Sequence, residues 1–249
     1  MARRRRKQRE RRHRSTGCAA ALIILVILGA GAAYGIPWIM DRFGGQVKET
    51  FSETVEKAVN TLAAEQAGFQ ELTVSAEEVE GSFYYEQLSS QEQLIYRELL
   101  QGVQDMEESI TIHAGRDDRP EKVYEYLLYD RPEFFWCAGS SQMTVYENYT
   151  EFHPGYSCTS EERAQRQIEI DTAVSDCIAG IDPSAGEYDR IRYVYEYLVN
   201  TVDYDENAPD NQNIYSALVG KNSVCAGYSR AAQYLLNNMG IECIYVVGT

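Results

Sequence analysis

The spacing of hydrophobic positions changes several times along the 249-residue chain, and each change marks a predicted element. Residues 15–40 carry no charge, and 18–39 are almost wholly apolar. At 1.5 Å per residue, about 20 helical residues cross a hydrocarbon core of roughly 30 Å, so a transmembrane helix is predicted over 18–40. The apolar run continues past the small-residue site Ala30-Gly31-Ala32, which favours a retained anchor over a cleavable signal peptide. Next, Phe43, Val47, Phe51, Val55, Val59 and Leu62 recur at four- and three-residue steps, the spacing of one helix face. This stalk helix could pair with another chain or pack on its own domain. A loop-like stretch over 68–81 closes the 41–81 stalk and linker region.

The 82–182 stretch reads as a small α+β unit. Leu88, Leu94, Ile95, Leu99, Val103 and Met106 predict one helix. Val123, Tyr126, Leu127 and Tyr129 predict a second, stopped by Asp130-Arg131-Pro132. Aromatic and β-branched residues predict short strands at 134–136 and 143–152. A third helix is expected over 160–179, with Ile168, Ile170, Val174 and Ile178, before Asp182-Pro183 breaks it. In the 183–249 region, Tyr188, Ile191, Tyr195 and Leu198 form the next helical stripe, and a polar loop follows at 203–213. A helix over 226–239 then carries Tyr228, Ala232, Leu235 and Met239, closed by Gly240, and 241–247 is a β-branched run suited to a buried strand. The fold class is therefore α+β, behind a membrane helix and a stalk.

Charge sharpens the membrane reading. The net charge of −15 divides unevenly: residues 1–14 carry nine Lys/Arg and Glu10, or +8, and the remainder carries −23. A basic 1–17 tail before the span and an acidic body after it orient the N-terminus to the cytoplasm and the body outside. An acidic body repels phosphate, so no nucleic-acid partner is expected; the lipid bilayer is the expected partner of the span. The 19 tyrosines could line an aromatic groove, but half-buried core rings account for them better.

Cysteine and carboxylate spacing argue against a resident metal. No CxxC or Cys/His pattern of the zinc type occurs among Cys18, Cys137, Cys158, Cys177, Cys225 and Cys243. Asp203, Asp205 and Asn207 open like a calcium loop, yet Ala208 stands where Gly is needed and Ile214 where a bidentate Glu is needed. No cofactor is expected. An oxidising location permits a bridge such as Cys137 to Cys158, with ordinary buried thiols the equal alternative.

The chemistry concentrates at Cys225. Gly220 and Asn222-Ser223 form a turn into the last helix, which places Cys225 in or just before its first turn. Thiolate is the nucleophilic form of cysteine, and a helix N-terminus stabilises negative charge through its free N–H groups. The same groups can receive an oxyanion. Gly227 keeps the turn slim, and Tyr228 follows as turn or oxyanion support. The string V-C-A-G-Y-S over 224–229, the Leu235-Leu236 pair, Gly240-Ile241 and the strand after it resemble the nucleophile segment of the transglutaminase-like superfamily. Residues 202–205 and 215–218 resemble that family's approach to the helix, so the resemblance spans roughly 186–249.

The resemblance implies a papain-like cysteine fold in which Cys225 attacks a peptide, protein or cell-wall amide, forms a thioester and releases amine. A second amine then gives transamidation and water gives hydrolysis. The family supplies a His and an Asp on the following strands. Here the only histidines are His13, His113 and His153, all upstream, with His113 and His153 expected on surface loops or strands. The chain is accordingly expected to be a C-terminally truncated piece, inactive as it stands. A non-catalytic surface module for binding or assembly, on a degenerate form of the same fold, is the alternative.

Overall fold

The computed structural model describes residues 68–248. The basic tail, the expected span at 18–40 and the stalk helix lie outside the described residues. No helix among the described residues is long and apolar enough to cross a membrane.

Residues 68–81 run as a loop with a short 3-10 turn at Glu77–Val79, and they pack onto the body, with Val74 and Val79 buried. Helix α1 (Ser90–Gln104) starts at a capping box: the Ser89 side chain accepts the Glu92 N–H while Glu92 reaches back to the Ser89 backbone. It buries Ile95, Tyr96, Leu99, Leu100 and Val103, the face its spacing predicts. Strand β1 (Ile110–Ile112) follows, then α2 (Pro120–Asp130), whose opening proline lacks only an N–H the helix would leave unpaired. Strands β2 (Cys137–Val145) and β3 (Thr150–Tyr156) form a hairpin, and β1 pairs antiparallel with β3 to give the order β1-β3-β2.

The strand expected at 134–136 is not formed. Phe134, Phe135 and Trp136 are all buried in a turn-rich segment, and a strand would send alternate side chains to opposite faces. Three consecutive aromatics inside one core require a turn.

Helix α3 (Ser160–Ala179) opens at a second capping box, Thr159 with Glu162. Its buried face is Ile170, Val174 and Cys177, while Ile168 is 62% exposed and Ile178 lies at the surface. Helix α4 (Glu187–Thr201) departs further from its expected stripe: Tyr188, Ile191 and Tyr195 face solvent, and Val194 and Leu198 make the core contact. Tyr188 and Tyr195 fit an amphipathic pattern because tyrosine tolerates either environment; the aliphatic pair decides the face.

Beyond α4, β4 (Asp203–Tyr204) pairs in parallel with β5 (Asn222–Ser223), with Asp203 opposite Asn222 and Tyr204 opposite Ser223. A π-helical turn at Ser216–Gly220 lies between them, and Lys221 leaves it at φ 57. Helix α5 (Cys225–Asn238) completes the regular elements.

The buried strand expected at 241–247 is also not formed. Ile241, Cys243 and Tyr245 are half-buried and alternate with exposed Glu242, Ile244 and Val246, the last at 68%. The side chains keep a strand's period of two, but no strand among the described residues offers a ladder partner. One hydrophobic core joins the described residues, running from Val74 and α1 through Phe135 and α3 to Ala231, Leu235 and Leu236 of α5.

Candidate functional site

Cys225 is the first residue of α5 and is exposed to solvent. Its position is fixed from the residue before it. Val224 is extended, with φ −109 and ψ −178, and its N–H donates to Asn211 O at 3.0 Å. The chain thus crosses the 211–213 loop in a set direction and turns into helix at the cysteine. No side chain caps α5, in contrast to α1 and α3, which each use a capping box. The first free N–H groups of α5 therefore lie beside the thiol with no side-chain acceptor.

A buried polar network holds this entrance. Asn213 Oδ1 accepts the N–H groups of Tyr215 and Ser216 at 2.9 and 3.1 Å. Ser216 Oγ donates to Asn213 O at 2.8 Å, and Ser223 Oγ donates to Asn211 O at 2.7 Å. The two hydroxyls are themselves 3.0 Å apart. Asn213, Ser216 and Ser223 are all buried; the Asn213 bonds close the 213–216 turn on itself, and the Ser216–Ser223 and Ser223–Asn211 contacts tie it to the residues before Cys225. Sequence reasoning missed this network. Asn213 is a favoured N-cap residue type, and that signal could have revealed its part of the network.

Gly227 and Tyr228 take roles different in detail from those expected. A Cβ on Gly227 would lie 1.9 Å from Ser223 Oγ and 3.0 Å from Asn213 O, so the missing side chain serves the packing of α5 on the loop, not access to sulfur. Tyr228 donates its hydroxyl to Val202 O and stacks on Tyr204 with ring centroids 6.3 Å apart. That hydroxyl is engaged on the β4 side, and burial, with Asp203 nearby, raises its pKa. Both residues brace the turn.

The other described thiols are less exposed than Cys225. Cys137 and Cys177 are buried, and burial pushes them up to about 12 and about 11. Burial also raises Cys158 and Cys243. All five are free, so the bridge considered between Cys137 and Cys158 is not formed.

Neither described histidine forms a hydrogen bond or ring contact with the Cys225 turn. His113 Nδ1 is bonded to Glu98 of α1, and its ring stacks on Phe69 at 3.8 Å. His153 Nδ1 faces Glu108 O at 3.0 Å. In the 203–213 loop, Asp205 Oδ1 accepts the Asn207 N–H at 2.8 Å, a local turn bond.

Residues 174–249 match a model of the transglutaminase-like superfamily. The match begins inside α3 and takes in α4, the β4–β5 pair and all of α5, so it starts earlier than the motif around Cys225 alone indicates. No curated protein matches the chain.

Proposed function

We propose that this chain belongs to an anchored, extracytoplasmic cysteine enzyme of transglutaminase-like type, with Cys225 as nucleophile on an amide. One observation carries the reading: the thiol is exposed at the uncapped N-terminus of α5, inside the family match. The sulfur attacks the amide carbon, the carbonyl electrons move onto oxygen, and the first-turn N–H groups receive that charge. Collapse of the tetrahedral adduct breaks the C–N bond and leaves a thioester on Cys225. The leaving amine takes a proton from the acid that first deprotonated the thiol. Attack of a second amine or of water on the thioester restores the enzyme.

The acid–base group is not assigned to the two described histidines, whose Nδ1 atoms bond Glu98 and Glu108 O away from the Cys225 turn. The reading therefore assigns it to residues outside those described. The membrane anchor rests on the uncharged 15–40 run and the basic residues before it.

Incubating the full-length protein with a glutaminyl peptide and a labelled primary amine tests this reading. Amine incorporation or ammonia release that disappears in Cys225→Ala is expected. Turnover that survives in Cys225→Ala refutes it. A second reading, a non-catalytic module on the same fold, rests on the two described histidines, which bond Glu98 and Glu108 O instead of Cys225. It predicts no turnover with any amide and an unchanged partner-binding surface in Cys225→Ala.

A further inference from the structure

The three-stranded sheet has two edges of unequal design. Strand β1 is only three residues long, and so short an edge offers little to pair with. Strand β2 forms the other edge and runs for nine residues, Cys137–Val145. Proteins guard long edges with charges, prolines, bulges or a covering segment. Residues 137–146 contain neither a charged residue nor a proline. The one irregularity falls between Cys137 and Ser141, so pairing with β3 is regular from Ser141 to Val145. Residues 142–145 are all exposed, so no described segment covers that stretch.

The Tyr146 N–H donates to Tyr149 O at 2.9 Å, which makes those two a hydrogen-bonded pair. Alternation then turns the N–H and C=O groups of Gln142 and Thr144 toward β3, and those of Ser141, Met143 and Val145 outward. Pro154 stands opposite Ser141, a position that needs no donor toward β2. The side chains of Ser141, Met143 and Val145 share one face. Met143 and Val145 lie opposite Phe152 and Thr150, which are fully buried, yet they are themselves 38% and 43% exposed. The buried face of the sheet thus runs out to an open edge.

We propose that β2 is an interface for a second copy of this chain, paired antiparallel about a two-fold axis at Met143. In that register Met143 faces Met143 of the second copy and Ser141 faces its Val145. Every outward N–H meets an outward C=O, about six N–H···O bonds in all, and the exposed apolar side chains cover one another. A foreign strand would meet the same backbone but no pocket for its side chains: the cleft of about 290 Å³ beside β2 touches only Cys137, Ala138 and Gly139 of the strand. The uncharged 137–146 run lets two acidic bodies meet here, since repulsion between more distant charges is screened beyond about 8 Å at physiological salt. This pairing is independent of the Cys225 reading.

The test uses the full chain in nonionic detergent, with Met143→Cys or Thr144→Cys introduced singly, mild oxidation, and linked peptides mapped by mass spectrometry. A disulfide between the two introduced thiols is expected to form roughly tenfold faster at position 143 than at 144, whose side chain points to the other face and lies opposite Gln142 of the second copy. Adding Val145→Pro to Met143→Cys removes an outward donor, leaves the ladder to β3 intact, and should bring linkage down to the rate at position 144. Equal rates at 143 and 144 overturn the proposal, as they would if another protein's strand held this edge. Linkage at 143 that is unaffected by Val145→Pro, in a chain with unchanged circular dichroism, also overturns it. Should Val145→Pro fail to fold, the comparison of 143 with 144 decides alone. A dimer held by any other surface leaves that comparison flat and counts against the proposal.

Discussion

At the scale of single residues, the fold spends its tightest tolerances next to Cys225. Gly227 is the sharpest case: any side chain there meets Ser223 and the carbonyls of Asn211 and Asn213. Gly227→Ala is expected to destabilise by about 1–3 kcal/mol, the cost of forcing extra volume into a packed site. Urea denaturation measures it, and an unchanged midpoint contradicts the packing role. The V-C-A-G-Y-S string made this glycine legible in the sequence, but its purpose was not, because the atoms it spares come from residues 211, 213 and 223. Asp130 shows the same limit. It appeared only as a helix stop, yet its carboxylate accepts the N–H groups of Tyr84 and Tyr85, each at 3.0 Å, across more than forty residues of sequence.

At the scale of elements, caps and buried faces decide which helices the sequence reveals. The Ser89 and Thr159 boxes are readable as S/T-x-x-E, and both helices begin where those boxes put them. Hydrogen bonds from the Ser89 backbone and then its side chain hold the Glu92 carboxyl below the usual glutamate range. A carboxyl lowered on folding stabilises above its unfolded pKa, and that contribution is lost as pH falls through the folded value. Glu92→Gln should therefore cost stability at neutral pH and progressively less as pH drops below the ordinary glutamate range. A pH-independent difference in denaturation midpoint contradicts this. Helix α4 was located by its periodicity but rotated wrongly, since tyrosines were counted as core. The exposed stripe predicts that Tyr195→Ser changes stability by less than about 0.5 kcal/mol. Leu198→Ala, at 4% exposure, should cost about 2–5 kcal/mol. The run at 241–247 was legible as strand-like alternation, but a strand is defined by its neighbour, and alternation alone carries no information about one.

For the whole molecule, the described residues share one core, which α1, the β2–β3 hairpin, α3 and α5 all enter. A sequence reading that divides the body near residue 182 separates segments that pack on the same side chains. Unfolding of the body monitored by tryptophan fluorescence (Trp136 is buried in the core) and by far-ultraviolet circular dichroism should therefore give coincident transitions; two separated midpoints contradict a single core. The same continuity explains why the Cys225 turn is held so firmly. The 211–216 loop is anchored to α3, where Tyr215 donates to Glu169 at 2.8 Å, and α5 is anchored to α2, where Gln233 donates to Tyr129 O at 2.9 Å. Cys225 sits where those two anchored pieces meet. The central claim, that this one thiol is set apart as a nucleophile, is tested most directly by its alkylation rate. With iodoacetamide at neutral pH and site-by-site mass mapping, Cys225 should react faster than free cysteine and far ahead of Cys137, Cys158, Cys177 and Cys243. A rate at Cys225 equal to or below that of free cysteine would contradict the account.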